Sequence, residues 1–268
     1  MIQDLSIVFE QVKQQNPLVH HITNQVTIND CANITLAIGG SPVMATSPKE
    51  VAEMTSIANA LVLNIGTLSE QSVEAMILSG IKANEKGIPV IFDPVGVGAT
   101  TFRKQAAKEI LQKVKVSIIR GNASEVSALL HDEQKTKGVD AADTVMEVEK
   151  IARMAAQHYS TVVVLTGAID YVTDGKQMAT IKNGHPILTK ITGTGCMTTS
   201  MIGSFAAVSK NPFHAAIVGV SIMGLAGEQA YHQLQSATQY GMFKYYLVDC
   251  IGAMNRQIWE QGVNIQID

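Results

Sequence analysis

The chain has 268 residues, 46% of them apolar and 16% charged, with 20 basic side chains against 23 acidic ones and a net charge of −3. That balance allows a large buried core and excludes a disordered chain. Without any run of Lys or Arg, nucleic acid and anionic membranes are poor partners, and a polyphosphate ligand would need local positive charge and a divalent cation.

Residues 4–15 read as an amphipathic helix stopped before Pro17, and Pro17-Leu-Val-His-His-Ile-Thr-Asn24 as extended chain. A helix over 25–38 ends at Gly39-Gly40. Ser41-Pro-Val-Met-Ala45 is a short strand or loop, and Ser47 followed by Pro48 caps a helix running to about Ala58. Strands and helices then alternate. The strands are 60–64, 88–92, 116–119 and 161–165, and the helices are 69–86, 102–114, 122–130 and 141–158, with 131–140 a polar surface connection. Thr173-Asp-Gly-Lys and Asn183-Gly are turn signals for antiparallel edge strands within 170–189. Helices over 195–209, 213–234 and 245–260 close the chain. The apolar run 215–227 is too short to cross a bilayer core ~30 Å thick, which takes about 20 helical residues, and reads as a core helix.

Short apolar strands alternating with helices predict one domain over residues 1–268, an α/β fold of three α/β/α layers around a mostly parallel sheet. The start Met1-Ile-Gln-Asp has no basic and apolar leader, and Cys31, Cys196 and Cys250 lack metal-ligand spacing. Reduced thiols and a cytoplasmic location are expected.

Ligands of such sheets sit at the carboxyl ends of the strands. There the chain places Asn64-Ile-Gly-Thr67, Asp93-Pro-Val-Gly-Val-Gly98, Arg120-Gly-Asn-Ala-Ser-Glu125 and Thr166-Gly-Ala-Ile-Asp170. Four polar, glycine-bearing turns on one edge point to a nucleotide or phosphate site. Neither a P-loop nor a dinucleotide fingerprint is present: Gln follows the Gly175-Lys176 pair, and Gly96/Gly98 lack a third glycine. Asp93 and Glu125 could hold Mg²⁺ beside phosphates, or else cap a helix and meet its dipole. Arg120 is placed to meet a phosphate, or to form a structural ion pair.

A fifth turn, Thr192-Gly-Thr-Gly-Cys196, opens an apolar helix. The backbone N–H groups of Gly193, Thr194 and Gly195 form an anion-binding helix mouth, with the Cys196 thiol seated in it. A free thiol with a pKa near ~8.5 is only about 3% ionised at pH 7. The helix terminus could lower that value by about 1.5 units, and nearby phosphate would oppose it. Cys196 is therefore expected to be a modest base, which suffices for phosphoryl transfer through a loose transition state. Cys31 and Cys250 are expected to be buried as small hydrophobes. His20 and His21 face opposite ways in an extended segment, with one of them available to line the cleft. Met44 is a core residue or a contact for an aromatic heterocycle.

Pro17-Leu-Val-His20 with Ile22-Thr-Asn24, Ser41-Pro-Val-Met44, Asp93-Pro-Val-Gly96, Gly121-Asn-Ala-Ser-Glu125, Thr166-Gly167 and Gly193-Thr-Gly-Cys196 together resemble the hydroxyethylthiazole kinases of thiamine biosynthesis, within the ribokinase-like superfamily. The resemblance implies ATP-dependent phosphorylation of the primary hydroxyl of 4-methyl-5-(2-hydroxyethyl)thiazole. It also implies Mg²⁺ and a homotrimer with active sites between subunits. By position, Met44, Gly193 and Asn24 would contact the thiazole and Arg120 and Thr166 the ATP. Asp93 and Glu125 would organise the metal, and Cys196 stands where the superfamily carries an Asp base. His21 replaces the Cys expected in the family's early motif and is assigned no role. A kinase of the pathway's hydroxymethylpyrimidine, a dehydratase repairing hydrated nicotinamide nucleotides, and a non-catalytic nucleotide sensor are rival readings. Cys in place of Asp argues against the first two, and the combined Asp93, Glu125 and Arg120 set against the third.

Overall fold

A computed structural model describes residues 2–130 and 145–268. The polar connection expected at 131–140, and the first residues of the helix expected from 141, lie outside them. The chain order is α1 (Ile2–Gln15), β1 (Leu18–Ile22), α2 (Ile28–Ile38), β2 (Ser41–Val43), α3 (Val51–Ile57), β3 (Ala60–Asn64), α4 (Glu70–Lys86), β4 (Val90–Asp93), α5 (Thr101–Lys113), β5 (Ile118–Gly121) and α6 (Ala123–Leu130). It continues through α7 (Val145–Tyr159), β6 (Val162–Leu165), β7 (Asp170–Thr173), β8 (Met178–Ile181), a 3₁₀ turn (Pro186–Lys190), α8 (Thr194–Ala206), α9 (Pro212–His232), α10 (Tyr240–Ala253), α11 (Arg256–Gly262) and β9 (Ile265–Ile267).

The nine strands form one sheet in the order β2-β1-β3-β4-β5-β6-β7-β8-β9. β2 through β6 run parallel, and β7, β8 and β9 continue as antiparallel neighbours. Alternation along each strand feeds two cores. Ala60 and Val62 of β3 face one side with α1, α2, α8, α9 and α10, while Leu61 and Leu63 face the other with α4, α5 and α7. The predicted three-layer α/β/α architecture is therefore the observed one. Strand order reverses at β1, which lies between β2 and β3, and the crevice of an open parallel sheet forms where order reverses.

Local chemistry explains most element ends. Ser69 and Ser72 form a reciprocal capping box on α4, and Gly87 closes that helix at φ +74°. Asn211 caps α9 with Pro212 at its first position, and the apolar run 215–227 is buried within that helix. Several boundaries move from expectation. Ser47 is not a cap: 48–50 form a turn, and α3 starts at Val51 after Glu50. β5 starts two residues late, which makes Arg120 part of the strand. The helix expected over 245–260 is two helices, because Asn255 breaks it and caps α11 through a bond from the Ile258 N–H at 3.0 Å. β9 and the 3₁₀ turn were not foreseen, since β9 is recruited by pairing with β8.

Candidate active site

Five parallel strands in neighbouring positions deliver Asn24, Asn64, Asp93, Arg120 and Thr166 to one edge of the sheet, in that order across it. Helix α8 lies over the middle strands and points its N-terminus at this edge. Gly193 is its cap at φ +93°, and a Cβ there would sit 2.8 Å from Thr27 Cγ2, so both backbone and space require glycine. The first bond of the helix runs from Met197 N–H to Gly193 C=O at 2.8 Å. The N–H groups of Gly193, Thr194, Gly195 and Cys196 ahead of it have no partner inside the helix, a set that includes the three expected at the mouth and adds Cys196.

Arg120 crosses this mouth. A Cβ on Gly195 would fall 2.5 Å from its Nη1, and Nη2 donates to Thr166 Oγ1 at 2.6 Å. Its Nη1 lies 3.7 Å from Asp93 Oδ2, a loose ion pair, and its buried Nε has no partner. The expected structural ion pair is therefore present, in a loose form. A guanidinium beside a helix N-terminus places two positive features together, and an anion in the space between would neutralise both.

Asp93 ends β4 fully buried, and its Oδ2 accepts from Thr199 Oγ1 at 2.6 Å. Burial pushes its pKa up to about 6, opposed by Arg120 and Thr199 and reinforced by Glu125. Asp93 is not a helix cap, because Thr100 caps α5. Its Oδ1 is buried without a hydrogen-bond partner, an oxygen of the kind a hard cation or its water completes.

Glu125 lies in the first turn of α6, where its negative charge meets the helix dipole as expected and its side chain completes a capping box with Asn122. Its backbone N–H donates to Asn122 Oδ1 and its Oε2 accepts from Asn122 N–H, both at 2.9 Å, while Oε1 accepts from Gly96 N–H at 2.9 Å. Mg²⁺ commonly takes one or two carboxylates plus phosphate oxygens and water, so Asp93 with Glu125 fits that ion as a partial ligand set. Among the described residues no group of three or more His, Cys, Asp or Glu is arranged to hold a metal alone.

Cys196 Sγ receives two amide donors, Asn24 Nδ2 and Asn64 Nδ2, each at 3.2 Å. Its position at the helix mouth is as expected, but its acidity is not. Burial first, and then the negative charge of Asp93, push the thiol pKa up, and hydrogen bonds from Thr27, Asn24 and Asn64 only offset part of that.

Two cavities meet at this point. One of about 430 Å³ runs from Arg120, Thr166 and Gly195 to an apolar end at Leu188, Val220 and Met223. The other, about 330 Å³, is lined by Asn24, Thr27, Arg120, Glu125, Gly193 and Cys196. Arg120 and Gly195 line both. Met44 lines neither; it is half-buried just past edge strand β2.

A sequence model described as the Hydroxyethylthiazole kinase family matches residues 9–257. The chain belongs to the hydroxyethylthiazole kinase family. A hydroxyethylthiazole kinase of Alkaliphilus oremlandii is 53% identical over 92% of each chain. The structure of a hydroxyethylthiazole kinase protein from Pyrococcus horikoshii superposes with a TM-score of 0.90 at 37% identity, covering 99% of both chains. A pyridoxal kinase from Staphylococcus aureus, solved with pyridoxal, shares the fold alone: TM-score 0.64, 13% identity, 94% of this chain and 97% of that one. The fold is ribokinase-like, and the chain is a kinase of this family.

Around the kinase site, His20 and His21 correct an expectation, since both are fully buried and neither lines either of these two cavities. They do face opposite ways. The His20 ring bonds Thr55 Oγ1 and Ala45 O at 2.8 Å each, and His21 bonds Val19 O and Thr35 Oγ1. Burial lowers both pKa values, that of His21 to about 4, so both stay neutral. Cys31 and Cys250 are buried as expected. Asn64, Thr199 and Asp170 were not picked out as site residues. Asn64 and Asp170 carried a signal, as polar residues in turns at strand ends, whereas Thr199 is legible only once α8 is seen one turn beyond Cys196.

Proposed function

We propose that this chain phosphorylates the primary hydroxyl of 4-methyl-5-(2-hydroxyethyl)thiazole with ATP, the function its family membership supports. The observation that carries the reading is the junction of the two cavities at Arg120 and Gly195. ATP occupies the larger one, with its base toward Leu188, Val220 and Met223 and its phosphates toward the α8 mouth, Arg120 and Thr166. The acceptor alcohol enters the smaller one beside Cys196, with Gly193 and Asn24 along its wall.

Transfer between them needs position and charge neutralisation above all. Arg120 and the N–H groups of Thr194, Gly195 and Cys196 face the charge that shifts between phosphates. Cys196 receives the hydroxyl proton as the acceptor oxygen bonds phosphorus and the bond to the ADP oxygen breaks. A bound Mg²⁺, held by Asp93 and Glu125 with phosphate oxygens, would neutralise part of the phosphate charge.

We read the assembly as a homotrimer in which a neighbouring subunit completes the thiazole site. Met44, just past edge strand β2, does not line the smaller cavity of its own chain, and Val26, Leu36, Tyr240, Met242 and Tyr245 on and beside α2 and α10 are exposed. Among the described residues no helix is long and apolar enough to cross a membrane. Three free cysteines suit the cytoplasm, where thiols stay reduced. An ADP-release assay with ATP, Mg²⁺ and a panel of heterocyclic alcohols tests the activity. Stimulation is expected with hydroxyethylthiazole and is expected to exceed that with hydroxymethylpyrimidine. No stimulation over ATP alone would reject the reading.

A further inference from the structure

The unassigned residue with the most pointed geometry is Asn64. It is the last residue of β3, it is 1% exposed, and it lies in register with Asp93 of β4. Its partner in the crevice is Asn24, 4% exposed and just beyond the end of β1.

Both amides are fixed in orientation by what their oxygens accept. Asn24 Oδ1 takes Thr27 N–H at 3.1 Å and Thr27 Oγ1–H at 3.0 Å. Asn64 Oδ1 takes Gly66 N–H at 2.9 Å and Asn24 Nδ2 at 3.0 Å. Flipping either amide would turn NH₂ groups onto these donors, so both Nδ2 atoms must point where they do, at Cys196 Sγ. A neutral thiol is a weak acceptor and would use two converging donors poorly. A thiolate would use both, and hydrogen bonds to an ionised acceptor are roughly twice as strong as neutral ones.

Close packing makes the pair more selective. A Cβ on Gly66 would stand 2.8–2.9 Å from the Asn24 side chain, so the backbone after β3 presses the Asn24 amide into place. Acidic and protonated groups stand about the sulfur, with Arg120 a cation that shares its cavity. Asp93 on β4 repels it, Cys31 on α2 remains protonated with its pKa raised to about 11, and Asp30 is paired with Lys244 at 2.8 Å. Arg120 and Glu125, of opposite sign, share the cavity.

We propose that Asn64, together with Asn24, is a positioning pair that stabilises the ionised form of the Cys196 sulfur against the burial and charge opposing it, and leaves its remaining lone pair aimed at the acceptor hydroxyl. The inference rests on the reading of Cys196 as the base. The substrate O–H proton passes to the sulfur as the O–P bond forms and the bond to ADP breaks. The resulting S–H then loses that proton to water, so the cycle releases one H⁺ per turnover.

The test measures Cys196 alkylation by iodoacetamide against pH in the full-length protein, read by mass spectrometry of the Cys196 peptide, alongside steady-state kinetics. Asn64→Ala is expected to move the alkylation midpoint up by about one pH unit, a roughly tenfold loss of thiolate at fixed pH, with a matching fall in kcat. Asn64→Asp keeps the side-chain shape and exchanges donors for a negative acceptor, so its midpoint should move further, and it carries the test if the alanine variant does not fold. An unchanged midpoint in a folded Asn64→Asp protein overturns the proposal, whatever its kcat. A shifted midpoint with full turnover in Cys196→Ala would sustain the amide pair as a holder of the anion and reject the base reading instead.

Discussion

The guanidinium of Arg120 lies against the backbone of Gly195, so close that a methyl group there would stand 2.5 Å from Nη1 and 2.9 Å from Nη2. Glycine at the start of α8 thus leaves room for the Arg120 side chain from β5, and the arginine is held at the point both cavities share. Gly195→Ala should therefore act through Arg120. Alanine suits a helix better than glycine by up to about 1 kcal/mol, so the fold should survive. The displaced guanidinium should raise the ATP KM at least about tenfold and leave the thiazole KM nearly unchanged, as should Arg120→Ala. Steady-state titration of each substrate checks this, and an effect confined to the thiazole would place Arg120 wrongly.

Asp93 is a site where activity and stability are expected to conflict. Its folded pKa of about 6 stands above its ordinary value of 3.8. A raised pKa means the stabilising contribution is fully present below about pH 4 and is lost as pH rises through about 6. Two pKa units correspond to about 3 kcal/mol. Asp93→Asn is accordingly expected to melt higher than the parent at pH 8, with the advantage shrinking at pH 5, and to lose most turnover. Equal melting shifts at both pH values would show that the gain has another origin.

Glu125 combines capping with its proposed metal role. Its two oxygens accept from Asn122 and Gly96 N–H groups, and a glutamine can offer only one oxygen to them. Glu125→Gln should cost about 1–3 kcal/mol of stability as well as activity. Chemical denaturation measures the first, and a Mg²⁺ titration the second. A variant as stable as the parent would mean that these bonds contribute nothing.

For Cys196, the raised thiol pKa sets the pH dependence. If the thiolate is the active form, kcat/KM should climb with pH through the neutral range and level off only above the ordinary thiol value. Cys196→Asp should remove that alkaline rise and retain or exceed parental activity at pH 7. Cys196→Ala should keep thiazole binding and lose about 100-fold or more in kcat, the usual worth of a general base. A flat parental profile would demote the thiol to packing.

Much of this was legible in the chain because it is local. Strands of four or five apolar residues and glycine-bearing turns act over a few neighbours, and they yielded the layered α/β/α fold and the polar edge. The helix mouth at Gly193–Cys196 was readable for the same reason. Asn255, which splits the last predicted helix, carried a local capping signal that apolar periodicity outweighed. Met44 is a different case: its motif is clear in the chain, yet a single subunit places it away from the smaller cavity.

What the residues alone determined, then, is which groups stand at strand ends and which helix opens on a thiol. Only the tertiary structure decided how those groups act on one another. Thr199 reaches Asp93, Asn24 and Asn64 converge on Cys196, and β9 becomes a strand because β8 offers it an edge. The sharpest reversal is the thiol itself. A helix terminus is written in the nearby chain and favours ionisation, but burial by β1, β3 and β4 and the charge of Asp93 come from residues over 100 positions away. Desolvation depends on everything packed around a group, and that sum exists only after the chain has folded.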